Sequence, residues 1–163
     1  MLSELERTAI RAAAERPGDR RAAAAEALAM LQRERGWVSD ESLAEAASVL
    51  GMPREELETV ATAFELVFRR QVGRHVIMAC DSVSCWIKGS ESILELIKER
   101  LGIGFGETSA DGEFTLLPAG CLGLCEQAPA MSLDGVPYGR LDAKTLDEIF
   151  ARIGEDKHGD SAH

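Results

Sequence analysis

The chain has 163 residues, 45% hydrophobic and 28% charged, which is the composition of a globular protein with a core of its own. It has no apolar run of the roughly 18 residues that a membrane-spanning helix needs, and its N-terminus does not have the pattern of a secretory signal. We therefore expect a cytoplasmic protein that does not insert into a membrane. A formal net charge of −10 would repel nucleic acid, so we do not expect the chain to bind it.

Residues 1–72 are predicted to form a helical domain with four helices. Ser3 and Glu6 have the spacing of a capping box, and Pro17-Gly18 should end the helix that it begins. Apolar residues then recur at helical spacing in three further segments. These begin near Asp19, near Ser39 and at Pro53. The fourth helix is expected to bury the stripe Leu57, Val60, Ala61 and Phe64.

Residues 73–153 are predicted to form a second domain of strands and helices. The apolar run His75–Cys80 has the length of a strand and delivers a cysteine at its end. A helix over about 91–101, a strand at 114–117, a hairpin that turns at Asp134-Gly135 and a last helix through Ile153 should follow. Residues 154–163 have nothing to bury and are expected to form a polar tail. The fold class is therefore α+β.

The four cysteines form two pairs, Cys80-x4-Cys85 and Cys121-x3-Cys125. In a reducing compartment, such clustering favours metal or redox chemistry over disulfides. Each pair is short enough for both thiolates to face one metal centre. Four thiolates are the ligand set of a [2Fe–2S] cluster, two for each iron, but also of a structural zinc ion. The spacing leaves both cofactors open, with reactive thiols as a third possibility.

The residues around the cysteines favour the cluster. A cluster with bridging sulfides needs loop backbone that comes close and donates N–H groups to sulfur, and small residues permit this approach. Such residues stand beside both pairs, although each is equally typical of an ordinary turn. They are Ser82, Ser84, Gly120 and Gly123.

A glycine-rich segment, a histidine and a tryptophan resemble functional features but are better explained as structural ones. The glycines in 102–106 follow a helix and have the wrong spacing for a dinucleotide loop, so they indicate a helix end. His75 is expected to be a strand residue outside the ligand set. Trp86, next to Cys85, is expected to pack in the core or to screen the site from water.

An ordered series of motifs runs from about residue 20 to residue 150. It comprises Arg35-Gly36-Trp37-Val38, Leu50-Gly51-Met52-Pro53, Val60-Ala61-Thr62, Val72-Gly73-Arg74-His75-Val76-Ile77, Cys80-Asp81-Ser82-Val83-Ser84-Cys85, Asp111-Gly112-Glu113-Phe114-Thr115-Leu116, Cys121-Leu122-Gly123-Leu124-Cys125 and Ala128-Pro129. In this series the chain resembles the 24-kDa-type subunit of respiratory NADH:quinone oxidoreductase, complex I. It also resembles the related subunits of NAD-linked hydrogenases and formate dehydrogenases. Ala63-Phe64 and Gln71 depart from the family pattern, but all four ligand positions are occupied.

The resemblance implies a helical N-terminal domain joined to a thioredoxin-like [2Fe–2S] ferredoxin domain, with the cluster held in loops at one end of the sheet. The implied ligands are Cys80, Cys85, Cys121 and Cys125. The implied function is one-electron transfer with FMN on a partner subunit that also binds NADH, in the cytoplasmic peripheral arm of complex I beside its further subunits. The chain would not be catalytic alone.

Two alternatives to this function remain at the level of sequence. The first is the equivalent subunit of an NAD-linked hydrogenase or formate dehydrogenase. The second, more distant, is a structural zinc-binding adaptor whose helical half binds a partner.

Overall fold

The computed structural model describes residues 1–15, 20–64 and 66–159, with the backbone alone for residues 154–159. Its helices and its five-stranded mixed sheet confirm the predicted α+β class. The chain divides into two compact units, a helical one over Met1–Val72 and a mixed one over Gly73–His163.

The described part of the helical unit contains four helices, as the apolar periodicity predicts. They are α1 (Glu4–Glu15), α2 (Arg20–Arg35), α3 (Asp40–Leu50) and α4 (Arg54–Ala63). The predicted capping box is present at α1, where the Ser3 N–H donates to Glu6 Oε2 at 2.6 Å and the Glu6 N–H donates to Ser3 Oγ at 3.2 Å. The break predicted at Pro17-Gly18 and the helix start predicted at Asp19 lie outside the described residues.

One apolar core holds the four helices together. The prediction that Phe64 is buried in this core is wrong. Leu57 and Ala61 of α4 are fully buried, as expected. The helix ends at Ala63, and Phe64 has an extended backbone with φ −106° and ψ 112°. Because the helical period stops there, the Phe64 side chain leaves the buried stripe and is 51% exposed.

An ion pair with low exposure connects α1 to α2. Arg35 Nε donates to Glu6 Oε1 at 2.8 Å and Arg35 Nη2 donates to Glu6 Oε2 at 2.7 Å, a bidentate arrangement. Arg35 Nη1 also donates to Ser42 Oγ of α3 at 3.0 Å. The Arg35 guanidinium lowers the pKa of Glu6 to about 2, since it bonds to the ionised carboxylate.

The stability of the helical unit is expected to fall in acid because of this pair. A carboxyl whose pKa is lower in the folded state stabilises the fold above its unfolded pKa and loses that contribution as the pH falls, here from about 5 to about 2. Between pH 7 and pH 3, we expect the free energy of unfolding of the wild type to fall by about 1–2 kcal/mol more than that of the Glu6→Gln variant. Urea unfolding followed by Trp37 fluorescence, in a Trp86→Phe background, measures the difference. Equal acid sensitivity in both chains would contradict the prediction.

The described residues of the mixed unit contain one five-stranded sheet and three α-helices. The strands are β1 (His75–Cys80), β2 (Glu107–Thr108), β3 (Phe114–Ala119), β4 (Met131–Leu133) and β5 (Val136–Tyr138), in the spatial order β2-β3-β1-β4-β5. β1 and β3 are parallel, whereas the pairs β1–β4, β2–β3 and β4–β5 are antiparallel. The helices are α5 (Val83–Ile87), α6 (Ser90–Leu101) and α7 (Ala143–Gly159), and a 3₁₀ turn spans Cys125–Gln127.

Apolar side chains from the sheet and from two helices form the core of the mixed unit. Ile77 of β1 lies opposite Leu116 of β3, and both side chains are fully buried. They belong to one cluster with Ile97 of α6 and Leu146 of α7. This core fixes β1 and β3 side by side, and these are the strands whose ends lead into the cysteines.

Three elements differ from the sequence prediction or were missed by it. The helix α5 and the short strand β2 were not predicted. The helix α7 continues to Gly159, into the segment predicted as a polar tail. Glu155 and Lys157 are good helix formers, and a helix backbone satisfies its own hydrogen bonds without a buried face. Residues 160–163 lie outside the described residues.

Among the helices of the described residues, none combines the length and the apolar character that crossing a membrane would require.

Candidate metal centre

The parallel pairing of β1 and β3 brings the two cysteine pairs to one edge of the sheet. Cys80, the last residue of β1, lies opposite Ala119, the last residue of β3, and Cys121 follows two residues later. The Asp81 N–H donates to the Ala119 carbonyl at 2.8 Å, so the strand ends stay together beyond the ladder. The carboxyl ends of parallel strands lie at the same edge, and here both of them lead into cysteines.

The first pair, Cys80 and Cys85, is buried. Cys85 lies in α5, whose first turn closes with a hydrogen bond from the Trp86 N–H to the Ser82 carbonyl at 2.9 Å. Both thiols pack with Ala130 in a small apolar cluster of their own. The helix missed by the sequence analysis therefore turns Cys85 back towards the strand end that carries Cys80.

The second pair, Cys121 and Cys125, is exposed. Its two sulfurs lie 3.9 Å apart. Two thiolates on one tetrahedral ion with metal–sulfur bonds of about 2.3 Å would be separated by about 3.8 Å. The pair therefore already has the separation that a shared metal would require.

Gly123 shapes the loop between Cys121 and Cys125. Its φ of +75° lies in the left-handed region, which glycine enters without steric cost. In that conformation the Gly123 N–H donates to Cys121 Sγ over 3.4 Å. A backbone N–H directed at sulfur stabilises negative charge on a thiolate or a cluster.

The electrostatic environments of the two pairs differ. Burial, followed by the neighbouring Cys80 thiol, raises the pKa of Cys85 to about 11. The Gly123 N–H, followed by the Cys125 thiol, lowers the pKa of Cys121. Because a ligand must bind as the thiolate, the buried position needs a bound cation to offset the cost of its charge, whereas the exposed position ionises more readily.

The donor set fits a [2Fe–2S] cluster. The Cys80 thiol interacts with the Cys85 thiol and with the Cys121 thiol, and Cys125 acts electrostatically on Cys85. Two adjacent thiol pairs are what a cluster with two thiolates on each iron requires.

The other features considered in the sequence lie elsewhere. His75 is at the opposite end of β1 from Cys80, and its Nδ1 forms a hydrogen bond with Asp134 Oδ2 at 2.7 Å. Gly102 ends α6 in the left-handed conformation, as predicted for a helix stop. The expectation that Trp86 packs in the core is wrong, since this side chain is 58% exposed.

Replacing Gly123 with alanine is expected to make the reduction potential of the bound cluster more negative. A Cβ at φ +75° is strained by about 1–3 kcal/mol, and relief of that strain turns the N–H away from Cys121. Fewer N–H donors stabilise the reduced cluster less. A redox titration followed by EPR measures the potential.

Gly135→Ala is the matched control for this prediction. Gly135 has a similar φ of +82° but lies in the β4–β5 turn, where a Cβ would meet nothing within 4 Å. The Gly135→Ala variant should lose about as much stability as Gly123→Ala but keep the reduction potential of the wild type. An unchanged potential in a fully loaded Gly123→Ala chain would argue against the role given to the Gly123 N–H.

The sequence has close relatives among characterised families. Residues 10–154 match the family described as thioredoxin-like [2Fe-2S] ferredoxin. The E-type subunit of the NADH-quinone oxidoreductase of Pseudomonas aeruginosa is 48% identical over 139 residues, which are 85% of this chain and 84% of that protein. The corresponding protein of Escherichia coli K12, which has the same name, is 43% identical over 151 residues, which are 93% of this chain and 91% of that protein.

Solved structures show a similar fold. A chain of an NAD+-reducing [NiFe]-hydrogenase in the air-oxidized state matches 83% of this chain with a TM-score of 0.67 and 26% identity. The H2-reduced state of such an enzyme matches 78% of this chain with a TM-score of 0.66 and 27% identity. This chain spans only about a quarter of the hydrogenase chains, 24% and 22% of their lengths.

Proposed function

Since this chain belongs to the thioredoxin-like [2Fe–2S] ferredoxin family, we propose that it is the electron-transfer subunit of a respiratory NADH:quinone oxidoreductase. The observation that carries the proposal is the meeting of two thiol pairs at one edge of the sheet. Relatives that match this chain over most of their length, at 43–48% identity, are E-type subunits of NADH-quinone oxidoreductases.

Cys80, Cys85, Cys121 and Cys125 are proposed as the four ligands of the cluster. The 3.9 Å separation of Cys121 Sγ and Cys125 Sγ supports one metal at the exposed pair, and the packing of Cys80 with Cys85 in one buried cluster supports a second metal at the buried pair. When bound, the cluster supplies one-electron redox chemistry. The apolar packing of Cys80 and Cys85 with Ala130 excludes water on one side, and the Gly123 N–H stabilises negative charge on the other.

A flavin on a partner subunit completes the function. NADH gives up a hydride, whereas an iron–sulfur cluster exchanges single electrons, so a flavin must separate the two electrons. The sequence of this chain has no recognisable nucleotide or flavin motif. The family resemblance therefore assigns FMN and the NADH site to a partner subunit, with further complex I subunits beyond it, in the peripheral arm on the cytoplasmic side.

The hydrogenase structures support a second candidate. The same fold occurs in NAD+-reducing [NiFe]-hydrogenases, which supports the equivalent subunit of an NAD-linked hydrogenase as the alternative. The formate dehydrogenase alternative rests on the sequence resemblance alone. The higher identity to the subunits of NADH-quinone oxidoreductases favours the quinone-linked enzyme. Affinity purification of the tagged chain from its own cells separates the two, since quinone-linked subunits would copurify in one case and a nickel- or formate-dependent enzyme in the other.

The proposal is tested by NADH oxidation. The isolated chain, loaded with its cluster and free of flavin, should not oxidise NADH with an artificial electron acceptor. Adding the FMN-bearing subunit should lead to reduction of the cluster by NADH, observed as the EPR signal of the reduced state. NADH turnover by the isolated chain at the rate of the whole complex would refute the subunit assignment, and zinc in place of iron would refute the redox function.

A further inference from the structure

Gly139 lies against the turn that carries Cys125. The 3₁₀ turn Cys125–Gln127 closes with a hydrogen bond from the Gln127 N–H to the Leu124 carbonyl at 2.8 Å. Gly139 directly follows β5 and packs on Gln127. A Cβ at position 139 would lie 2.5 Å from Gln127 Cβ and 2.8 Å from the Gln127 carbonyl oxygen. Both separations are shorter than van der Waals contact, so a side chain at residue 139 would push the turn away.

Two hydrogen bonds hold residues 139–141 on the chain that follows Cys125. The Arg140 N–H donates to the Gln127 carbonyl at 2.5 Å, and the Leu141 N–H donates to the Pro129 carbonyl at 3.1 Å. Arg140 has a φ of +54°, in the left-handed region that residues other than glycine rarely adopt. A residue keeps such a conformation where its surroundings impose it, and here the surroundings include these two bonds.

Residues 127–130 connect the exposed cysteine pair to the buried pair. The segment begins two residues after Cys125 and ends at Ala130, which packs with Cys80 and Cys85. The Cys80 N–H donates to the Ala130 carbonyl at 3.1 Å, and the Ala130 backbone N–H forms a hydrogen bond with the Cys85 thiol. A shift of this segment would therefore change the position of Cys125 relative to the buried pair.

We propose that Gly139 is a positioning residue for the [2Fe–2S] cluster, an inference that rests on the function and the ligand set proposed above. The absence of a side chain lets residues 139–141 lie directly on Gln127. That contact sets where Cys125 stands relative to the buried thiols. Gly139 acts through the turn and is not a ligand, in the way that contacts outside the ligand set orient the ligands of other metal sites.

Gly139→Ala tests the proposal in the cluster-loaded full chain. The added Cβ should displace the turn, so that Cys125 binds its iron in an altered geometry. Transfer of iron to a chelator should become at least about tenfold faster, the size of effect common for contacts that support metal ligands. The EPR g values of the reduced cluster should also shift, because they depend on the arrangement of the thiolates around the irons.

Gly73→Ala is the matched control. A Cβ at Gly73 would lie 2.9 Å from backbone atoms of residues 112–114, close to the first residues of β1 and β3 and thus at the opposite end of these strands from the cysteines. This variant suffers a comparable overlap with backbone and should lose comparable stability. It should keep the iron-release rate and the g values of the wild type. Equally fast iron release in both variants would show a general loss of stability and would overturn the proposal.

A second measurement uses the unmodified chain. If residues 139–141 position the ligands, then binding of the cluster must stabilise their hydrogen bonds in return, because coupling between two sites is reciprocal. Removal of the cluster should therefore accelerate hydrogen exchange more at the Arg140 and Leu141 amides than at the His75 amide. The His75 N–H donates to the Glu113 carbonyl at the far end of β1 and β3. Equal acceleration at both ends would contradict the inference.

The outcomes separate this inference from the proposed function. Wild type that binds no iron and sulfide would refute the proposed function, and the role of Gly139 with it. If the wild type holds its cluster and Gly139→Ala matches Gly73→Ala in iron release and g values, the function stands and the role of Gly139 is refuted. Should Gly139→Ala fail to load a cluster, hydrogen exchange in the wild type decides, since greater acceleration at residues 140 and 141 supports the inference and equal acceleration refutes it.

Discussion

Alanine at any one of Cys80, Cys85, Cys121 or Cys125 is expected to remove the [2Fe–2S] cluster. Each thiolate completes the coordination of one iron, so its loss opens a position to water and leads to hydrolysis of the cluster. The expected result is loss of most of the bound iron and sulfide and of the reduced EPR signal in all four variants. Metal and sulfide analysis of anaerobically purified protein provides the measurement.

Serine at the same positions should retain part of the cluster. A serine oxygen can replace sulfur as a ligand, but it is a harder donor that binds more weakly and shifts the potential. His75→Ala is the control, because His75 bonds to Asp134 at the other end of β1 and should leave the spectrum unchanged. Full retention of iron, sulfide and EPR signal in one Cys→Ala variant would disprove the ligand set, as would one zinc and no iron in the wild type.

The cysteines could be singled out from sequence because two local signals coincide at Cys80. An apolar run of strand length ends there, and a second cysteine follows at a spacing that suits a shared metal. The strand β1 has the predicted bounds, His75–Cys80. The pairing of β1 with β3 does not follow from periodicity, because strand partners far apart in sequence are chosen by the packing of the whole domain. The family resemblance implied only that the cluster lies in loops at one end of the sheet, and the family match confirms the resemblance.

The helix α5 escaped prediction for a physical reason. Five residues make less than two turns, too few for a helical period to show. Its apolar residues face outwards and only Cys85 faces inwards, the reverse of an ordinary surface helix. The expectation that Trp86 packs in the core failed for the same reason, since hydrophobicity alone does not determine which side of so short a helix faces the core.

The hydrogen bond from the Gly123 N–H to Cys121 Sγ could be predicted only in part from the residue type. A glycine between two cysteines predicts a turn and permits a close approach of backbone to sulfur. Only the observed φ of +75° identifies the atom that donates. In the same way, cysteine spacing predicts two thiol pairs, but the contrast between a buried and an exposed pair depends on tertiary packing.

Leu116→Ala is expected to destabilise the mixed unit by about 2–5 kcal/mol, the cost of a large-to-small change in a packed core. Leu116 is fully buried on β3, opposite Ile77 of β1. The cavity would separate the two strands whose ends lead into Cys80 and Cys121, so cluster retention should fall together with stability. Hydrogen exchange of the β1 amides reports the stability, and iron content reports the retention.

Leu117→Ala tests whether this effect comes from the core and not from the strand itself. Leu117 is the same residue type as Leu116 and lies next to it on β3. Successive side chains of a strand point to opposite faces, and Leu117 is only partly buried. Both variants lose the same atoms and change β-propensity equally, so any difference between them measures packing against the core that Leu116 shares with Ile97 and Leu146. If both variants lost equal stability, the core assigned to this face of the sheet would not be what holds β1 and β3 together. If Leu116→Ala unfolded the unit partly and yet kept full iron, the cysteines would be positioned by their loops and not by the parallel strands.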